Sequence, residues 1–369
     1  AASLDIGPGD LQAAWRRAGR AVAARVAMAC ARERLVDGTW DSSNQLVSGI
    51  TLDDEANWVR AESCPGSDDI FIAVVSNQKT LYAARWDGAA DSWSDQIQNI
   101  AVVRDAGTEA FDIAFESNTG YAFLIWGDEG NNVMYKEFTS SWQPEATAYS
   151  GLSDDVLWLA AAYDPQATSS KIAIAMVLNN STFEYGAWDG SSWVARPAAI
   201  DAPNNDNRFI DVAFESDTGE AIYGFTQNVA ADDKKRFAWR TWTSSGGFSG
   251  VTVENTLPDD LPDEIKFVQL KADPTSDDIM AVYADKSKDL YYRFWDGSDW
   301  TALPAPLETE LSDENQNEAF MFAWKESPAT AIDLLAFSAI GQDVAVQVAW
   351  QTAREFDNLG FHLYRAPSA

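Results

Sequence analysis

Trp86-Asp87-Gly88…Trp93, Trp188-Asp189-Gly190…Trp193 and Trp295-Asp296-Gly297…Trp300 are three copies of one hairpin. Degenerate copies stand at Phe138…Trp142 and Trp242…Phe248, and a partial copy at Val36-Asp37-Gly38…Trp40. The six anchors, at residues 36, 86, 138, 188, 242 and 295, are 50, 52, 50, 54 and 53 residues apart. A second element recurs in phase with them, an apolar run ending in an acidic turn. Its copies are Ala61-Glu62-Ser63, Phe115-Glu116-Ser117-Asn118-Thr119-Gly120, Tyr163-Asp164-Pro165, Phe214-Glu215-Ser216-Asp217-Thr218-Gly219, Ala272-Asp273-Pro274 and Trp324-Lys325-Glu326-Ser327. Two elements keeping one register across the chain mark a repeat architecture.

Each repeat of about 50 residues holds four short strands. In the fifth they are expected at Ile265–Ala272, Ile279–Tyr283, Leu290–Trp295 and Asp299–Leu303. Period-2 alternation is visible in Phe111-Asp112-Ile113-Ala114-Phe115 and Leu290-Tyr291-Tyr292-Arg293-Phe294. Asp-Gly suits the tight turns, because glycine accepts positive φ. Four antiparallel strands at this period are a propeller blade. The reading is therefore an all-β, six-bladed β-propeller over residues 35–330. Val36–Trp40 is an outer strand with no inner strands before it, and Ala319–Trp324 an inner strand with no hairpin after it. The N-terminal strand is accordingly expected to complete the last blade, so that no raw sheet edge is left.

The flanks differ from the repeats. The whole chain carries 26 Lys plus Arg against 57 Asp plus Glu, a net charge of −31. Residues 1–34 hold six Arg against Asp5, Asp10 and Glu33, a net of +3, while the remainder is at −34. This first segment reads as a basic amphipathic α-helix over roughly Asp10–Leu35, with Asp10 as N-cap. Residues 331–369 contain Leu334-Leu335-Ala336-Phe337, Val344–Trp350 and Asn358–Arg365. They resemble the first strands of the fibronectin-III-like modules at the C-termini of bacterial secreted proteins. The other reading makes them the middle strands of blade six, and both remain open at this stage.

Several functions are disfavoured. A single histidine, His362, rules out multi-histidine zinc sites and argues against a Ser-His-Asp triad. Cys30 and Cys64, far apart, exclude a zinc ribbon. The acidity argues against nucleic acid and anionic membranes. No apolar run is long enough to span a bilayer as a helix. There is no phosphate loop, nucleophile elbow or sialidase Asp-box, and with 57 acidic residues no catalytic carboxylate pair can be nominated. Binding is expected before catalysis.

Two sets of residues are candidates for that binding. Loops entering the inner strands are acidic and contain Asp53, Asp54, Asp154, Asp155, Asp206, Asp259, Asp260, Asp313 and Glu314. Hard oxygen ligands of this kind suit Ca²⁺, although a solvated surface accounts for them equally. Trp86, Trp188 and Trp295 recur at equivalent places and either pack between blades or stack on a sugar. Arg85, Arg240 and Arg293 stand close by and could bond sugar hydroxyls.

The Leu-Tyr strand followed by Trp-Asp-Gly, as in Leu81-Tyr82-Ala83-Ala84-Arg85-Trp86-Asp87-Gly88, resembles the repeats of six-bladed fucose-binding lectins and related bacterial propeller lectins. The resemblance covers period and aromatic anchors, while the sugar-binding set of those lectins does not map residue by residue. It implies a non-catalytic, glycan-binding or adhesive propeller, extracellular or at the cell surface. A structural subunit of a surface layer, filament or appendage, assembling through residues 1–34 and the C-terminal strands, is the second expectation. A polysaccharide-cleaving enzyme is the third.

Overall fold

The computed structural model describes residues 49–203, 206–229, 234–254 and 265–311, residues 320 and 322, four short strands between 31 and 46, and the strands Ile332–Gln342 and Ala345–Glu355. Two compact units divide it, 1–324 and 325–369.

In the first unit five antiparallel sheets follow one another along the chain. Blade one is Ala56–Ser63, Ile70–Ser76, Thr80–Asp87 and Ser92–Val102. Blade two is Phe111–Phe115, Ala122–Gly127, Val133–Phe138 and Ala146–Tyr149. Blade three is Val156–Tyr163, Ile172–Leu178, Thr182–Trp188 and Ile200–Asp201. Blade four is Ile210–Phe214, Ala221–Val229 and Lys234–Thr243, with short outer strands Gly247–Phe248 and Thr252–Val253. Blade five shows Ile265–Ala272, Ile279–Asp285 and Leu290–Trp295. Inner strands of successive blades touch one another, which wraps the sheets about a common channel.

The apolar pattern explains the stacking. Second strands such as Ala122–Gly127 and Ile172–Leu178 are buried at every position, because each blade is covered on both faces by its neighbours. The Trp-Asp-Gly hairpin is a local device. Asp189 Oδ1 accepts the amides of Ser191 and Ser192, both at 2.9 Å, and Asp296 Oδ1 those of Ser298 and Asp299, both at 3.0 Å. Gly190 and Gly297 follow at φ +96° and +87°, conformations that strain any other residue.

Four expectations need correcting or bounding. The fourth strand of blade five is not Asp299–Leu303: only isolated bridges, Trp295 to Trp300 and Leu290 to Glu308, remain of it. Pro304 and Pro306 lack the amide a ladder needs. The helix expected over Asp10–Leu35 falls mostly outside the described residues. Its end is strand, with Ala31–Arg32 paired to Gln45–Leu46 around a tight Leu35–Val36/Thr39–Trp40 hairpin. The turn of blade one is also two residues later than the sequence alignment places it. Cys64 N donates to Asp69 O as Glu116 N donates to Tyr121 O and Glu215 N to Glu220 O, so Cys64 and not Glu62 occupies the turn position.

The second unit shows one antiparallel hairpin, Ile332–Gln342 with Ala345–Glu355. The third strand expected at Asn358–Arg365 lies outside the described residues.

Candidate functional site

The two in-phase repeats prove to be two halves of one contact. Trp188 of blade three donates its Nε1–H to Glu116 Oε1 of blade two at 2.8 Å. Trp295 of blade five donates to Glu215 Oε1 of blade four at 2.5 Å. The second carboxylate oxygen of each Glu accepts the hydroxyl of the turn threonine, Thr119 or Thr218. Ser117 Oγ and Ser216 Oγ donate, each at 2.5 Å, to the carbonyls of Asp164 and Asp273 in the following blade. Asp112 and Asp211 complete the set, each accepting an amide of the next inner strand at 2.8 Å, from Ala161 and Leu270. Glu116 and Glu215, like Asp112 and Asp211, are 99 residues apart. Blades two and three, and four and five, are therefore latched pairs, and the true period is about two blades.

Between the members of each pair lies an aromatic nest. In blades two and three it is built from Tyr135, Trp188 and Trp193. Tyr135 and Trp193 meet edge-on at 5.7 Å, Trp188 and Trp193 at 5.7 Å, and Phe123 stacks under Tyr135 at 5.6 Å. All three nest residues are half-buried. Trp193 Nε1 is buried without a well-formed hydrogen bond, although the Tyr135 hydroxyl lies near it. Glu137 sits two residues from Tyr135 on the same strand and so on the same face. Burial raises its carboxyl above the ordinary range, and neighbouring Glu116 adds to the effect. Among the described residues no hydrogen bond reaches the Glu137 carboxylate. The nest thus joins flat ring surface to an acceptor that no hydrogen bond among the described residues engages.

The equivalent nest of blades four and five is closed. Trp239, Trp295 and Trp300 occupy its positions at 9, 5 and 5% exposure, and Phe237 packs on Trp300 at 5.2 Å.

The residues nominated from sequence lie beside or beneath these nests. Trp86 is buried against Trp93 at 5.5 Å, and Trp295 is buried in the closed nest, so of the three tryptophans only Trp188 reaches an open surface. Arg85 is held by Asp69, Asp87 and Asp95 at 2.8, 2.8 and 2.9 Å and lies over the Phe138 ring. Arg240, 7% exposed, donates to Ser249 O at 2.5 Å between the rings of Tyr185 and Phe248. Arg293, 3% exposed, pairs with Glu254 at 2.5 Å. These arginines clamp blades internally. Tyr135, Glu137 and Trp193 were not singled out from sequence as binding residues. The alternation of Tyr135 and Glu137 just before the Phe138 anchor was the available signal.

The acidic loops are likewise engaged. Asp54 Oδ1 accepts Glu55 N at 2.8 Å and Oδ2 accepts Gln78 Nε2 at 2.7 Å; these bonds hold its carboxyl below the usual range. Asp154 repeats this with Asp155 N at 2.9 Å and Asn179 Nδ2 at 3.3 Å. Asp53 accepts Thr80 Oγ1 at 2.6 Å, and Asp155 accepts Asn131 N at 3.2 Å. They cap the loop between the second and third strands. Asp206 is exposed, while Asp259, Asp260, Asp313 and Glu314 lie outside the described residues. Among the described residues no three His, Cys, Asp or Glu side chains gather as a metal site.

The fold and its latched junctions define a β-propeller with an aromatic site between blades. No protein-family model matches the chain, and no curated protein matches it. Solved structures do. The BP39L lectin from Burkholderia pseudomallei is 14% identical, with 73% of this chain and 76% of that chain covered and a TM-score of 0.50. The Aleuria aurantia lectin, described as a six-bladed β-propeller with a fucose recognition mode, is 13% identical over 73% of this chain and 84% of its own, with a TM-score of 0.47. The SapL1 lectin, solved with α-methyl fucoside, is 13% identical over 82% and 97%, with a TM-score of 0.44. Each of these three is a lectin, and at these identities the likeness is one of fold.

Proposed function

We propose that the chain is a non-catalytic, glycan-binding propeller and that the nest of Tyr135, Glu137, Trp188 and Trp193 is its sugar site. The observation that carries this reading is the half-open nest itself. A pyranose presents an apolar face that stacks on flat rings, and hydroxyls that need an acceptor and a donor. Glu137 supplies the acceptor, and the Tyr135 hydroxyl beside Trp193 Nε1 the donor. The likeness in fold to the Burkholderia lectin supports a binding role.

The finer architecture belongs to the same proposal. Six blades suit the six sequence anchors. We place the protein outside the cell or on its surface, where glycans are met.

Glycan-array binding of the intact chain, with α-methyl fucoside among the probes, tests the reading. Glu137→Gln keeps the shape of the nest and is expected to cut binding at least tenfold, and Trp193→Ala to abolish it. A chain that binds no glycan, or binds equally well with both changes, refutes it.

A further inference from the structure

The residue just before each hairpin anchor differs from blade to blade: Arg85, Glu137, Ala187, Thr241 and Phe294. Only the first two are charged, and their signs are opposite. Strand register makes them equivalent. Arg85 stands opposite Phe71 as Glu137 stands opposite Phe123, one step from the pairs that hold the anchors, Ile70 with Trp86 and Ala122 with Phe138. Both faces look toward the next blade. Phe71 meets Phe138 at 5.1 Å, and Phe123 meets Trp188 at 5.5 Å.

At the junction of blades one and two the chain supplies its own cation. The Arg85 guanidinium lies 5.2 Å from the centroid of the Phe138 ring. It bonds Asp69, Asp87 and Asp95 at 2.8, 2.8 and 2.9 Å. An aromatic anchor and carboxylates thus hold one positive charge together, each attracting it on its own account.

At the junction of blades two and three the same position is an acid. Glu137 is half-buried, and among the described residues its carboxylate has no hydrogen bond and no ion pair. Neighbouring Glu116 is already engaged, by the Trp188 Nε1–H and the Thr119 hydroxyl. Burial raises the Glu137 carboxyl and Glu116 raises it further, whereas a cation beside it would lower it. Burial first and Glu137 second raise the Tyr135 hydroxyl, which places the carboxylate close to that ring. Rings and carboxylate here present what blade one presents to Arg85, and no Lys or Arg among the described residues answers them.

We propose that the nest selects cationic amino sugars, which carry a free ammonium in place of one ring hydroxyl, over neutral and acidic sugars. The proposal rests on the reading of the nest as the sugar site. The apolar face of the pyranose stacks on the indoles of Trp188 and Trp193, and the ammonium stands beside Glu137 as the Arg85 guanidinium stands beside its aspartates. A sugar acid brings a further negative charge to Glu137 and Glu116 and is disfavoured. An N-acetylated sugar keeps the ring but loses the charge, and with it the charge-assisted bond.

Calorimetric titration of the intact chain near neutral pH tests this. The probes are methyl glucosaminide, methyl glucoside, methyl N-acetylglucosaminide and α-methyl fucoside, with ethylamine as an ammonium that has no sugar ring. Physiological salt screens the diffuse attraction of any cation to a chain of net charge −31. The amino sugar is expected to bind at least tenfold more tightly than every other probe, and Glu137→Gln, with unchanged circular dichroism, to remove that advantage. A neutral sugar or ethylamine that binds as tightly, or a preference that survives Glu137→Gln, overturns the proposal. Neutral glycans that bind where the amino sugar does not overturn this proposal alone. A chain that binds no sugar of any kind overturns the sugar-site reading with it.

Discussion

Trp295→Phe and Trp188→Phe make the same chemical change in two copies of the same latch, and their difference is predictable. Each removes an indole N–H that donates to a turn glutamate. In blades four and five the pair is sealed, with Trp295 at 5% and Glu215 at 1% exposure. A hydrogen bond to a charged group contributes about 1.5–3 kcal/mol, and an acceptor stranded without water stands at the upper end. Lost pyrrole packing adds about 1 kcal/mol. Trp295→Phe should therefore cost about 3–4 kcal/mol. Trp188 is half-buried, water replaces the lost donor, and about 1–1.5 kcal/mol is expected. Burial already raises the Glu215 carboxyl, against bonds from Thr218 and Trp295 that lower it. Removing Trp295 raises it further. A raised acid stabilises the fold below its unfolded pKa and loses that contribution as pH climbs through the folded value, so the Trp295→Phe deficit should be larger at pH 7 than at pH 4. The assay is urea denaturation of single and double variants with Glu215→Gln and Glu116→Gln, read by circular dichroism. A coupling energy near zero at the 215–295 pair, or equal costs at the two latches, would refute the account of blade pairing.

Further outcomes follow from single sites. In Gly186→Ala the added Cβ meets Tyr149 at 2.3 Å, displacing a hydroxyl that accepts the Ala187 amide and donates to Val194 O, each at 3.0 Å; a loss of about 2–3 kcal/mol in thermal unfolding is expected. Glu62 titrates in the fold near 7 against an ordinary 4.5, so its contribution is complete below pH 4.5 and fades as pH rises through 7. Glu62→Gln should thus raise the melting temperature at pH 8 and leave it unchanged near pH 4.5. Asp54→Asn should lower stability in the same way with Ca²⁺ or with a chelator present, because the carboxylate caps a loop; a loss seen only with Ca²⁺ would instead mark a cation site.

Much of this fold is legible in sequence because blade turns are local. Asp-Gly hairpins and alternating strands lie within a few residues of one another, and Leu290–Trp295 is found where its pattern puts it. The junctions are not local. Trp188 finds its acceptor 72 residues earlier, a pairing that no periodicity within one repeat can reveal. Blade one misled the alignment for a related reason. Glu62-Ser63 mimics the Glu-Ser turn, but its register turns Glu62 toward the channel and gives the turn to Cys64. The nominated arginines lie in ion-paired or ring-stacked clamps, and guanidinium beside aromatics reads alike in a clamp and a sugar site; only burial separates the two. At Ala31–Arg32 and Leu35–Val36 strand pairing stands where the composition suggested the end of a helix.

The central claim is that glycan is held in the half-open nest of blades two and three. Calorimetric titration of the strongest array ligand into wild type and Glu137→Gln tests it most directly. Saturable binding that weakens at least tenfold in the variant, with unfolding unchanged, is the predicted result. Identical isotherms for the two proteins, or no heat with any glycan, would contradict it.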